Sequence, residues 1–138
     1  MVFNNPSPVV IRALLQRARR IAVVGLSSQP NRPSYGVARH MQQFGYQVVP
    51  VRPMVVEVLG EKAYSSLLEL PFPVDIVNVF RAAEHIPQLV EECIQMASPV
   101  IWIQQGIIHE QAAQRAKEAG LIVVMDRCIY RDYLELMI

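Results

Sequence analysis

A chain of 138 residues, 52% hydrophobic and 18% charged, is long enough for one packed α/β core and too short for two. Thirteen basic against 12 acidic residues leave a net charge of +1, which excludes the broad positive field of a nucleic-acid or anionic-membrane binder, so any anion has to be met locally. No apolar run approaches the roughly 18 residues of a membrane span, MVFNNPSP has no signal-peptide pattern, and Cys93 and Cys128 lack the spacing of a disulfide framework or zinc site, so a cytoplasmic protein with reduced thiols is expected.

Ser7-Pro8 ahead of VVIRALLQRAR supplies an N-cap and a proline at the first helical position, and Val10, Ala13, Leu14 and Ala18 share one face. A leading helix over residues 8–19 follows. The run IAVVGL, 21–26, is apolar, β-branched and too short for a helix, and reads as a buried parallel strand. Val37, Ala38, Met41 and Phe44 have helical spacing, which predicts a helix over 35–44 ended by Gly45, with a second strand at 46–51. Residues 52–70 are irregular apart from a short helix near 65–69. A third strand is expected at 74–80, a helix at 85–97, a fourth strand at 100–104, a helix at 109–119 and a fifth strand at 121–125. This alternation predicts one α/β domain over 1–138, a Rossmann-like, doubly wound, five-stranded parallel sheet with helices on both faces. The expected order is 3-2-1-4-5, which puts a ligand at the carboxyl ends where the order reverses, between strands 1 and 4.

The strand ends of interest are therefore 25–28, 51–53, 80–81, 104–106 and 126–128. GLSSQPNRPSYG, 25–36, joins the first strand to its helix. Gly25 permits a tight turn, Ser27, Ser28 and Ser34 offer hydroxyls, and the N–H groups of Ser34, Tyr35 and their neighbours begin a helix that suits a phosphate. A plainer reading makes Ser34 a helix cap and the prolines loop stiffeners. The segment is not the dinucleotide fingerprint, because of GxGxxG only Gly25 is present and the loop is several residues longer. Where an NAD site carries Asp or Glu at the end of strand 2, this chain has Val51-Arg52. Arg52 suits a ribose phosphate, which admits coenzyme A with its 3′-phosphate or NADP with its 2′-phosphate. A lone arginine at a strand end is as often a solvated charge. Arg32, Arg52 and Arg81, on three loops of one expected face, form a stronger pattern than any one of them.

IAVVGLS (21–27), RPSYGVA (32–38), GYQVVPVRP (45–53), EVLGEKAY (57–64), VDIVNVFR (74–81), VIWIQQGI (100–107) and AGLIVVMDRC (119–128) resemble, in this order, the small stand-alone CoA-binding domain proteins, the YccU-like family. The same segments are similar to the N-terminal CoA-binding half of the succinyl-CoA synthetase α subunit. The resemblance covers nearly the whole chain. It implies a Rossmann-like fold holding coenzyme A or acyl-CoA, with Gly25, Leu26, Ser27 and Ser34 on the phosphates and Val51 and Arg52 near the adenosine. It further implies Phe80 and Arg81 along the cofactor and Gln104 and Gly106 at the mouth. The chain departs from the family at Arg52, where Asn is usual, and at Met54-Val55-Val56, where the synthetase relatives place a Lys shortly after the adjacent proline. The ending IYRDYLELMI lacks the usual basic tail, so nothing is carried over beyond Cys128.

No Ser-His-Asp order, metal-ligand set or Walker lysine appears in the chain. His40, His85 and His109 read as surface or capping residues, Asp126 as a carboxylate that satisfies backbone at the end of strand 5, and Trp102 as core. Cys128 is the one reactive candidate, since a thiolate at the carboxyl edge would face the thiol of CoA; a buried structural thiol is the commoner fate. The function expected is non-catalytic binding of CoA or acyl-CoA, as a sensor or carrier, with a small molecule as the partner. Two alternatives stand beside it, an NADP-binding reductase subunit and an interaction protein on a Rossmann scaffold that has lost its ligand.

Overall fold

Ser7 starts the first helix as its place before Pro8 predicts, its hydroxyl accepting from the Val10 N–H at 3.4 Å. In the computed structural model, which describes residues 2–138, that helix, α1, runs Pro8–Arg17. It stops two residues short of the expected end, because Ala18 turns to extended backbone and the N–H groups of Arg19 and Arg20 go to the Asp75 carboxylate at 2.8 and 2.9 Å. There follow β1 (Arg20–Val24), α2 (Pro33–Gln43), β2 (Gln47–Val51), a small hairpin of β3 (Glu57–Val58) and β4 (Glu61–Lys62), and a 3-10 turn at Leu67–Glu69. The second half holds β5 (Ile76–Val79), a 3-10 turn at Ala83–His85, α3 (Ile86–Gln95), β6 (Val100–Ile103), α4 (Glu110–Glu118), β7 (Ile122–Met125) and α5 (Ile129–Met137).

The five longer strands form a parallel sheet in the order β2-β1-β5-β6-β7. Counted among those five strands alone, this is 2-1-3-4-5 where 3-2-1-4-5 was expected: Ile76–Val79 pairs directly with β1, Ile21 opposite Ile76 and Val24 opposite Val79. Pro50 was the signal to the contrary. A proline inside a strand confines it to an edge, and the outer side of β2 is closed by Tyr64, whose N–H donates to the Pro50 carbonyl at 3.0 Å and whose carbonyl accepts from Arg52 at 2.8 Å. At the opposite edge the Asn5 amide pairs with both backbone groups of Met125, at 2.9 and 2.8 Å, blunting β7 in the same way.

Strand side chains alternate between two apolar layers. Ile21, Val23, Ile76, Trp102 and Val124 face α1, α2 and α5, while Ala22, Val24, Val77, Val79, Ile101 and Ile103 face α3 and α4. Helix α5 lies beyond the last expected strand and is held by Phe44 stacked on Tyr133 at 3.9 Å and His40 on Tyr130 at 4.1 Å. The hairpin was also unforeseen. Its Leu59-Gly60 turn has φ +55° and +77°, the sign pair of a type I′ turn, but its strands are too short to leave a period. Among the described residues no helix is long and apolar enough to cross a membrane.

Candidate functional site

With β5 beside β1, the sheet reverses between the carboxyl ends of those two strands, and a parallel sheet opens a crevice at such a point. Gly25 sits at its floor. Its N–H donates to the Val51 carbonyl at 2.9 Å and its φ is +84°. A Cβ at this position would lie 2.5 Å from the Phe80 carbonyl oxygen and 3.1 Å from Arg81 Cδ, so glycine is needed for the end of β1 to pack on the end of β5.

The loop that leaves Gly25 is fixed from within. The Ser27 N–H donates to Ser34 Oγ at 2.9 Å, and the Gln29 N–H to Ser27 Oγ at 3.1 Å; both serines are buried. Ser34 therefore does not cap α2. The N-cap is Arg32, which has no side-chain acceptor for the first-turn N–H groups, and Pro33 follows with no acidic residue in that turn. Neither a side-chain cap nor an acidic first-turn residue offsets the positive end of α2. Each serine oxygen accepts a backbone proton and keeps its own hydroxyl proton to donate.

Over this loop lies a cavity of about 550 Å³, lined by Gly25, Ser27, Arg32, Pro33, Ser34, Arg52, Pro53, Phe80 and Arg81. That is within the roughly 300–1,000 Å³ of small-molecule sites. Three guanidinium groups reach it from three loops and no carboxylate lines it. Arg52 Nη1 donates to the Gly25 carbonyl at 3.3 Å, and none of the three arginines is in an ion pair among the described residues. A chain with net charge +1 thus concentrates three of its cations at one crevice.

The remaining candidates fall elsewhere. Leu26 and Val51 are in the core, since their side chains point into the helix layers. Ser28 is exposed on the loop, and Tyr35 is half-buried against the core under α2. Gln104 is buried below the edge, its Oε1 accepting from Asn78 Nδ2 at 3.2 Å and from the Ile129 N–H at 3.4 Å. The Gly106 N–H donates to Asp126 Oδ1 at 2.7 Å, which gives Asp126 the backbone role expected of it. Cys128 borders a separate 180 Å³ hollow with Arg127 and Asp132. The shifted reversal point explains this division, because β5 stands between the cavity and the ends of β6 and β7. Asn78 was missed, although it is the one polar residue inside VDIVNVF beyond the leading Asp75.

The other groups read as scaffold. His109 Nδ1 accepts from the Ala112 N–H at 3.1 Å and so caps α4. Trp102 is fully buried, with its indole N–H on the Arg127 carbonyl at 2.9 Å. Burial pushes the Cys93 thiol up to about 12, which leaves it a neutral core group at physiological pH.

Comparison with known proteins follows the same lines. A family model described as CoA binding domain matches residues 19–133, which take in every residue lining the cavity. The chain belongs to the CoA binding domain family. Within the family's reach it is 51% identical over 126 residues to the uncharacterized protein YneT of Bacillus subtilis (strain 168), spanning 91% of this chain and 93% of that one. It is 30% identical over 122 residues to the ADP-forming acetate–CoA ligase I subunit alpha of Pyrococcus furiosus, spanning 77% of this chain but 26% of the ligase subunit. The structure of a hypothetical protein from Pyrococcus horikoshii OT3 superposes with a TM-score of 0.91 at 35% identity, covering 99% of each chain.

Proposed function

We propose that this protein binds coenzyme A or an acyl-CoA in the crevice between the ends of β1, β2 and β5, without chemistry of its own, as a sensor or carrier. The observation that carries the reading is the cavity with three arginines, two buried hydroxyls and an uncapped helix start, and no carboxylate in its lining. Such a donor set fits a ligand with several phosphate charges. Membership of the CoA binding domain family supports a CoA-type ligand among the polyphosphorylated candidates. The lining groups are cations and hydroxyls, which hold an anion and do not serve as general bases at neutral pH. NADP is the reading that competes on the same donors, since Arg52 suits a phosphorylated ribose of either kind.

Native mass spectrometry of freshly purified protein, followed by calorimetric titration with CoA, NADP and inorganic pyrophosphate, tests the proposal. The expected result is a retained or titratable CoA, with stabilisation of about 2.7 kcal/mol at a free concentration a hundred times the dissociation constant. Tighter binding of NADP than of CoA overturns it in favour of the reductase reading, and the absence of binding by all three favours a scaffold without a ligand.

A further inference from the structure

Arg52 differs from the other two arginines of the cavity. It stands at the carboxyl end of β2, beside Gly25 at the end of β1, with Val24 opposite Val51 in the sheet. In doubly wound sheets the pyrophosphate lies on the first loop and the start of its helix, and the residue at the end of the second strand reads the ribose. Here that first loop has its own donors in Ser27, Ser34, Arg32 and the α2 N-terminus. Arg52 is half-buried and is anchored by one N–H to the Gly25 carbonyl at 3.3 Å, which orients the guanidinium while leaving its remaining donors without a carboxylate partner. An acid in this position would accept from ribose hydroxyls. A fixed guanidinium repels no phosphate and meets one with paired N–H groups.

Resting on the CoA reading of the crevice, we infer that Arg52 is the specificity-determining residue for a phosphomonoester on the ligand's ribose, so that the site selects CoA over dephospho-CoA. The Gly25 bond holds the side chain in place before the ligand arrives, which lowers the ordering cost of the contact. Arg52 makes this one contact, and the pyrophosphate stays with the first loop. An Arg52 that only stapled two loops would support both ligands equally.

The test is calorimetric titration of wild type, Arg52→Ala and Arg52→Lys with CoA and with dephospho-CoA, each variant checked for folding by circular dichroism. Wild type is expected to prefer CoA by about tenfold or more, the scale of a charge-assisted contact. Arg52→Ala should bring the two affinities to within about twofold of each other, chiefly by weakening CoA, and Arg52→Lys should fall between. A rise in salt should narrow the wild-type preference. An Arg52→Ala protein that keeps the wild-type preference overturns the inference, and so does an equal loss for both ligands. If wild type binds CoA and dephospho-CoA equally, the inference fails and the CoA reading stands; if it binds neither, both fail.

Discussion

The carboxyl edge of the sheet has two halves with the same ingredients and opposite outcomes. At the ends of β1, β2 and β5, arginines and hydroxyls surround a 550 Å³ crevice with no carboxylate to neutralise them. At the ends of β6 and β7, equally polar residues are used up internally: Gln104 on Asn78 and Ile129, Gly106 on Asp126, Trp102 on the Arg127 carbonyl. Arg127 is gripped by both oxygens of Asp132 at 2.7 and 2.8 Å. Position at a strand end therefore does not make a site. What separates the halves is whether donors are left without acceptors, and in the second half Gln104, Asp126, the Arg127 carbonyl and, on α5, Asp132 supply the acceptors.

The largest expected effect is on the floor of the first half. Gly25→Val places a Cβ 2.5 Å from the Phe80 oxygen at φ +84°, and both terms should destabilise the fold by more than about 3 kcal/mol. Urea denaturation followed by circular dichroism measures it, and a wild-type midpoint would show that the ends of β1 and β5 do not pack as described. Loss of ligand binding in that variant says nothing of ligand contact, since the glycine serves the packing of the chain itself.

In the second half, Asp132→Ala should cost about 2–3 kcal/mol of stability, below a fully buried pair because the Arg127 side chain is 40% exposed. CoA affinity should be unchanged. A parallel loss of affinity in a folded Asp132→Ala protein would join the two halves into one site. Ser27→Ala should do the reverse, lowering CoA affinity by about 1.5–3 kcal/mol if its hydroxyl bonds a phosphate oxygen, with a smaller loss of stability from the Gln29 N–H left without an acceptor. Titration calorimetry reads the first quantity and thermal melting the second.

The scaffold beneath both halves gives the smallest effect, a dependence on pH. Burial raises Tyr46 to about 12 from its ordinary 10.0, with Tyr133 adding to the rise, and raises Cys93 to about 12 from 9.0. The Tyr46 hydroxyl donates to the Leu15 carbonyl at 2.6 Å. The unfolded chain releases these protons first, so stability is level below about pH 9 and falls as pH rises toward 12. Denaturation midpoints at pH 8, 10 and 11 should show the decline, and Tyr46→Phe should reduce its slope; an unchanged slope would mean that Tyr46 ionises as readily in the folded chain.

Much of this was legible in the residues. Alternating apolar runs gave five parallel strands and the helices between them, and GLSSQPNRPSYG with Arg52 and Arg81 marked the loops that line the crevice. The strand order was misjudged at Pro50, where a single missing N–H sets the edge of the sheet. The resemblance places Gln104 and Gly106 at the mouth, and strand 5 carries Cys128 to the ligand side; with β5 beside β1, these three residues are not in the lining of the cavity. Helix α5 carries Ile129, Tyr133 and Leu136 at helical spacing, but IYRDYLELMI departs from the family pattern, so the resemblance does not extend to it. Internal pairing such as Gln104 with Asn78 depends on side chains 26 residues apart, and no local pattern reveals it.

On the proposed reading, CoA is held by Arg32, Arg52 and Arg81, none of which is in an ion pair among the described residues. Titration calorimetry of CoA into wild type and into the triple variant Arg32→Gln, Arg52→Gln, Arg81→Gln tests it most directly, with circular dichroism to confirm that the variant is folded. Loss of three charge-assisted contacts predicts an affinity reduced by more than about a hundredfold. A folded triple variant that binds CoA as tightly as wild type would contradict the account and place the ligand elsewhere on the molecule.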